Sequence, residues 1–83
     1  MEGIRDAVRA YILEQFLPGE DPRNLTDDTE LKESGILDSL STLKLISFLE
    51  EQYHVEFEAN DLAAGNLATI TAIERLVRSK QSG

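Results

Sequence analysis

Ser39 is the residue whose type and position most directly suggest chemistry. It follows Asp38 at the end of a polar loop, and an apolar-periodic stretch begins immediately after it, which is the pattern of a helix start. The first turn of a helix has free backbone N–H groups and a partial positive charge. A phosphate linked to the Ser39 hydroxyl would be electrostatically favoured there. The position therefore suits a serine that carries a phosphodiester-linked group.

Three stretches with apolar residues at three- and four-residue steps must position this serine. We predict helices over residues 2–17, from about residue 39 to Tyr53, and from about Thr69 to the start of a frayed tail at 79–83. Thr69 is the expected N-cap of the last helix, and Thr71 with Glu74 would form a capping box. The predicted apolar faces are Ile4, Ala7, Val8, Tyr11, Ile12 and Phe16 in the first helix, Leu40, Leu43, Ile46, Leu49 and Tyr53 in the second, with Leu45 and Phe48 widening it, and Ile70, Ile73, Leu76 and Val77 in the last.

The segment between the first two helices is a long loop over residues 18–38, opened by the breaker Pro18-Gly19. We expect its four apolar residues, Leu25, Leu31, Ile36 and Leu37, to hold it against the core. Residues 60–64 are expected to form a short turn of helix. No repeat or linker marks a second domain, so residues 1–83 are predicted to be one all-α domain, a small four-helix bundle of three main helices and one short one.

Composition narrows the classes of function. The chain has 83 residues, no cysteine, one histidine and a net charge of −8. Such a chain has no thiolate for metal binding or nucleophilic attack, and it has few groups for acid–base catalysis. Residues 20–61 carry 12 acidic and 3 basic side chains, which disfavours nucleic acid and anionic membranes and favours partner proteins with basic surfaces. No secretion signal or membrane-length apolar run is visible, so we expect a cytoplasmic monomer.

The run Gly35-Ile36-Leu37-Asp38-Ser39-Leu40, followed by an amphipathic helix, resembles the modification site of the acyl and peptidyl carrier protein family. The resemblance covers most of the chain, because the order of helices and the long first loop also match. Asp-Ser-Leu alone is a weak signal, and its placement in this helical pattern is what makes it specific.

The resemblance implies a non-catalytic carrier. A phosphopantetheinyl transferase would move 4′-phosphopantetheine from coenzyme A onto Ser39, and the thiol of that arm would hold an acyl or aminoacyl group as a thioester. Asp38 would help the transferase and its magnesium, and Leu40 would pack inward and contact partner enzymes. The remaining partners would be an acyl- or aminoacyl-carrier ligase or synthase and acyltransferases. The chain itself has no cysteine to supply such a thiol.

The sequence departs from carriers of the fatty-acid-synthesis type, which usually have acidic residues two and five positions after the modified serine. Ser41 and Lys44 stand at those positions. The motif is equally similar to D-alanyl and free-standing aminoacyl carriers, which favours a dedicated pathway carrier. The residues predicted to contact partners are Leu43, Lys44, Ser47, Glu50, Glu51, Glu56 and Asp61.

Three other interpretations compete with this one. Ser39 would be only a helix cap if the chain were a small acidic interaction module. A serine hydrolase is disfavoured because Ser39 lacks a Gly-x-Ser-x-Gly elbow, and His54 lies roughly four helical turns away. A calcium loop over residues 21–30 lacks the required ligand spacing and the glycine at its sixth position, so no metal site is predicted.

Overall fold

The computed structural model describes residues 3–62 and 64–82 as an all-helical domain. Its three α-helices are α1 (Ile4–Phe16), α2 (Ser39–Tyr53) and α3 (Ile70–Ser82). Short 3-10 turns occur at Pro22–Asn24, Ala59–Leu62 and Ala64–Leu67, and no strand occurs among these residues. The all-α class is confirmed. In place of the short helix predicted for residues 60–64 there are 3-10 turns at Ala59–Leu62 and Ala64–Leu67, and Ala63 lies outside the described residues.

Helix α1 packs mainly on α3. Its buried residues are Ile4, Val8 and Ile12, as the periodicity predicts. It begins at Ile4, whereas Glu2 of the predicted helix lies outside the described residues. At its end the Leu17 N–H donates to the Ile12 carbonyl, and Gly19, at φ +86°, turns the chain.

The long loop is held to the core, as predicted: Leu25, Leu31 and Leu37 are buried and Ile36 is half-buried. Backbone hydrogen bonds also anchor the loop. The Leu31 N–H donates to the Ala68 carbonyl at 2.8 Å, and the Leu37 N–H donates to the Leu31 carbonyl at 2.9 Å. The loop is therefore fixed on both sides of the turn that leads to Ser39.

A group of ion pairs ties the same loop to α1 and α3. We call this group, formed by Arg5, Arg9, Asp27 and Glu74, the clamp. Asp27 of the loop accepts from both arginines of α1, and Arg5 also donates to Glu74 of α3 at 2.7 Å. The Asp27 carbonyl accepts from the backbone N–H and the hydroxyl of Thr71. Asp27 thus joins the loop to two helices, to α1 through its carboxylate and to α3 through its carbonyl.

Helix α2 begins and ends where the sequence predicts, but its buried face is different. Leu45, Ile46 and Leu49 are buried, whereas Leu40 is 65% and Leu43 is 60% exposed. The prediction that these two leucines pack inward was wrong. At 3.6 residues per turn they lie about 140° and about 160° around the helix from Leu45, so a face centred on Leu45 turns them to the outside.

Helix α3 follows its predicted apolar face, since Ile70, Ile73, Leu76 and Val77 are all buried. The Thr69 hydroxyl accepts from the Ala72 N–H at 3.1 Å, which confirms the N-cap. The predicted capping box does not form, because Thr71 and Glu74 bond to the loop and to α1. The helix also continues to Ser82, so the predicted frayed tail was wrong for residues 79–82. Gly83 lies outside the described residues.

Candidate functional site

Ser39 is the first residue of α2 and is exposed. Its neighbours form an open cavity of about 280 Å³ that is lined by Lys32, Leu37, Asp38, Ser39 and Thr42. The buried Leu37 anchors the chain two residues before Ser39. The backbone that carries Ser39 is thus anchored at the surface, with open space beside the serine.

The turn that delivers Ser39 depends on Gly35. Its φ is +84°, in the left-handed region that favours glycine. A Cβ at this position would meet nothing within 4 Å, so the backbone angle and not space requires the glycine. The Gly35 N–H donates to the Lys32 carbonyl at 3.1 Å, which closes the turn and places Lys32 beside the start of α2.

Asp38 is the N-cap of α2. Its carboxylate accepts from the Ser41 N–H at 2.8 Å, and its carbonyl accepts from the Thr42 N–H at 2.9 Å. The backbone hydrogen bond from Ser41 is the main reason that the pKa of Asp38 lies below its ordinary value, so this carboxylate is ionised at neutral pH. The competing interpretation in which Ser39 is the cap was wrong, because Asp38 has that role.

The N-terminus of α2 is consequently not an empty anion site. Asp38 already takes one of the N–H groups of the first turn, and its negative charge occupies the positive end of the helix. A phosphate on Ser39 would meet a carboxylate there. The expectation that the helix start itself favours a phosphate is therefore weakened by the capping residue.

Leu43, Lys44, Ser47 and Glu51 lie together along an open groove between α2 and α1. The groove has a volume of about 390 Å³, and Tyr11 and Phe48 complete its lining. The two aromatic rings stack at 4.1 Å between centroids, and the Tyr11 hydroxyl donates to the Lys44 carbonyl at 3.3 Å. The four predicted partner-binding residues thus share one surface. The exposed Leu40 lies three residues before Leu43, toward the start of α2.

Glu50 and Glu56 lie around the C-terminal end of α2. They line a second open groove, of about 520 Å³, together with Ser47, Glu51 and Phe57. The Glu50 carboxylate accepts from the Phe57 N–H at 3.0 Å, so it also holds the chain that follows the helix.

Asp61 lies away from both grooves. Its carboxylate accepts from the Glu58 N–H and forms an ion pair with Lys80. These contacts, led by the Glu58 backbone bond, lower the pKa of Asp61. The structure therefore does not bring Asp61 together with the other predicted partner-binding residues.

Two aspartates of the long loop already have bonding partners within the chain. Asp21 caps the first 3-10 turn by accepting from the Arg23 N–H, and Asp27 belongs to the clamp. Across residues 3–62 and 64–82, no three His, Asp or Glu side chains converge as metal ligands would. In the same residues, no helix is both long and apolar enough to span a membrane.

Three residues at these surfaces were not identified from the sequence, namely Lys32, Thr42 and Tyr11. A partial signal existed for Lys32, which is the only basic residue between residues 24 and 43. No local signal existed for Tyr11, because its contact with α2 joins residues more than thirty positions apart. The Thr42 hydroxyl is buried and has no hydrogen-bond partner in the described part of the chain.

Comparison with protein-family models matches residues 6–77 to the family described as phosphopantetheine attachment site. The matched region contains the loop, all of α2 and most of α3, and therefore includes Ser39 and its surroundings. No curated protein matches the chain.

Proposed function

Because this chain belongs to the phosphopantetheine attachment-site family, we propose that it is a carrier whose Ser39 holds the arm and whose cargo is an acyl or aminoacyl thioester. Domains of this family are the site of covalent 4′-phosphopantetheine attachment. The single observation that carries the assignment to Ser39 is its exposed hydroxyl at the start of α2, directly after the capping Asp38.

The residues around Ser39 fit such a group. The serine borders an open cavity, and its hydroxyl makes no hydrogen bond within the described residues, so it is free to react. In the attachment step the Ser39 oxygen would bond to the phosphorus that bears the pantetheine. The pyrophosphate bond of coenzyme A would break, the adenosine 3′,5′-bisphosphate part would leave, and the hydroxyl proton would pass to a base. The attached arm supplies a thiol, which this cysteine-free chain lacks.

Partner enzymes would reach the carrier on the outer face of α2. Leu40 and Leu43 are large exposed apolar side chains close to Ser39, and exposed apolar groups with nearby charges are typical of protein contacts. Lys44, Ser47, Glu51 and Glu56 extend this surface. Glu50 and Asp61 would contribute mainly through their negative charge, because their carboxylates already have internal partners.

The proposed carrier has no turnover of its own, and it depends on a transferase, a ligase or synthase, and acyltransferases. The departures at Ser41 and Lys44 support a dedicated pathway carrier over one for fatty-acid synthesis. A cytoplasmic location and a monomeric state remain predictions.

Intact mass spectrometry after incubation with coenzyme A and a broad-specificity transferase tests the attachment. We expect the wild-type chain to gain the mass of one phosphopantetheine group and Ser39→Ala to gain none. Ser47→Ala, which removes another exposed serine of α2, is the matched control and should gain one phosphopantetheine group at the end point of the reaction. An unmodified wild-type chain, or a modified Ser39→Ala chain, would contradict the proposal.

The contribution of Lys44 to partner choice needs a separate experiment. Charge reversal in Lys44→Glu should alter loading by the cognate ligase, since like charges on a docking surface reject partners. The effect should diminish as salt is added. Unchanged loading rates at all salt concentrations would remove Lys44 from the docking surface.

A further inference from the structure

A phosphodiester on Ser39 would stand in an unfavourable electrostatic position. Residues 24–43 contain five acidic side chains and a single basic one. Asp38 is ionised and already bonded to the first turn of α2. The helix start therefore leaves the phosphate without the compensation that an uncapped N-terminus would give.

Among the described residues, Lys32 is the one cation that borders the cavity beside Ser39. The turn that carries it is fixed by the Gly35–Lys32 backbone bond and by the fully buried Leu31. Its side chain forms no ion pair in the described part of the chain, although most cations there do. The cations with a carboxylate within 4 Å are Arg5, Arg9, Arg23, Arg78 and Lys80.

Thr42 offers a second uncommitted group at the same place. It lines the cavity and lies three residues after Ser39, so the two side chains are neighbours on the helix surface. Its hydroxyl is buried and has no hydrogen-bond partner among residues 3–62 and 64–82, which costs stability. Threonine populates two rotamers in helices, so a change of χ1 gives the Thr42 hydroxyl a second position. Because Thr42 borders the cavity, we expect that second position to face it.

We propose that Lys32 and Thr42 bind the phosphodiester that links the arm to Ser39. The Lys32 ammonium pairs with the phosphate oxygens, and the Thr42 hydroxyl donates a hydrogen bond that it lacks in the unmodified chain. This site rests on the proposed function of Ser39. It holds the first atoms of the arm against the loop side of α2, although the helix N-terminus is occupied by Asp38.

Thermal unfolding of unmodified and modified chains tests the contribution of Lys32. Attachment should raise the Tm of the wild type by about 1 to 6 °C, the range for an exposed charge pair in a domain of this size. The increase should shrink at high salt. Lys32→Gln should lose most of it. Lys44→Gln removes another exposed cation that has no ion pair in the described residues, and it should keep the increase. An equal increase in all three proteins would overturn the proposal.

Thr42→Val should affect the stability of the unmodified chain and the gain in stability on modification in opposite directions. The unmodified variant should be as stable as the wild type or more so, because an unpaired buried hydroxyl is replaced by a methyl group. The Tm increase on modification should nevertheless be smaller than in the wild type. An undiminished increase would exclude Thr42 from the site.

Phosphorus NMR gives a readout that does not depend on stability. The phosphodiester resonance of the modified wild type should shift in Lys32→Gln and in Thr42→Val, and it should not shift in Lys44→Gln. Intact mass spectrometry distinguishes failure of the phosphate site from failure of the proposed attachment to Ser39. A modified chain with identical resonances in all variants refutes the phosphate site alone, whereas a wild type that gains no mass refutes the proposed function.

Discussion

The clamp and the surroundings of Ser39 use similar residues in opposite ways. In the clamp, Asp27 and Glu74 bond to Arg5 and Arg9, so each charge has a partner within the chain. We call the surroundings of Ser39 the attachment end, which comprises Lys32, Asp38, Ser39, Leu40, Thr42 and Leu43. Here a cation and two hydroxyls have no partner in the described residues, and two leucines are exposed.

This difference separates stability from function. Groups that bond to one another hold the loop against α1 and α3, and they leave nothing available to a ligand. Groups that lack partners cost stability or contribute none, and they remain free to bind an arm or a partner enzyme. Substitutions in the two regions should therefore affect different measurements.

The largest expected effect comes from comparing a leucine that holds the loop with a leucine of the attachment end. Leu31 is fully buried, and Leu40 is 65% exposed. Leu31→Ala should lower the free energy of unfolding by about 2 to 5 kcal/mol, because it leaves a cavity in the core. Leu40→Ala should change it by less than about 0.5 kcal/mol. Chemical denaturation measures both, and similar losses would contradict the division into two regions.

The next effect concerns Asp27, which joins the loop to α1. Asp27→Asn keeps the shape of the side chain but removes the charge that pairs with Arg5 and Arg9. We expect the Tm to fall by about 2 to 6 °C, as for a small network of surface ion pairs, with a smaller fall at high salt.

Asp28→Asn is the matched control for the clamp. It removes a neighbouring exposed carboxylate that has no ion pair in the described residues. Its Tm should stay close to that of the wild type. If Asp27→Asn and Asp28→Asn lowered the Tm equally, general loop charge and not the clamp would explain the effect.

The pH dependence of stability gives a third test of the clamp. The hydrogen bond from Arg5 is the largest of the contacts that lower the pKa of Glu74 in the folded chain, whereas an unfolded glutamate has a pKa of about 4.3. The stabilisation is therefore complete above that value and is lost as the pH falls through the lower folded pKa. Thermal unfolding between about pH 7 and about pH 3 should show this decline, and Glu74→Gln should have a lower Tm at neutral pH and a shallower decline.

Glu14→Gln is the control for this series, because Glu14 is exposed and has no ion pair in the described residues. Its pH profile should follow that of the wild type. A profile for Glu74→Gln as steep as the wild-type profile would show that other carboxylates produce the acid sensitivity, among them Asp38 and Asp61, whose pKa values are also lowered.

Local patterns predicted much of this molecule. Helix α2 begins at Ser39 and ends at Tyr53 because a capping residue and a regular apolar period coincide there, and Thr69 caps α3 for the same reason. These features depend on interactions over three or four residues, which a single sequence contains. The exposed Ser39 after a glycine turn was predictable for the same reason.

The errors arose where two arrangements have the same local spacing. Leu40, Leu43 and Ile46 follow a helical period, and so do Leu45, Ile46 and Leu49. Only the packing of α1 and α3 decides that the second set is buried and that Leu40 and Leu43 are exposed. The hydrogen bonds from Thr71 to Asp27 and from Tyr11 to Lys44 join residues that are distant in sequence, so no local pattern predicts them. The place of Lys32 beside Ser39 depends on the same long-range anchoring through Leu31 and Ala68.

The smallest expected effect lies at the other end of α2, where stability can be raised without touching the attachment end. His54 ends the helix with φ +54°, a left-handed conformation that is unfavourable for residues with a Cβ. His54→Gly should raise the free energy of unfolding by about 0.5 to 1 kcal/mol, because glycine is the preferred residue at this helix position.

His54→Ala removes the imidazole and keeps the Cβ, so it should give no gain in the free energy of unfolding. Equal gains in both variants would show that loss of the imidazole is the cause. Both variants should accept phosphopantetheine at the wild-type rate, since the residues around Ser39 are unchanged. A slower rate in the stabilised variant would mean that the two regions are coupled through α2.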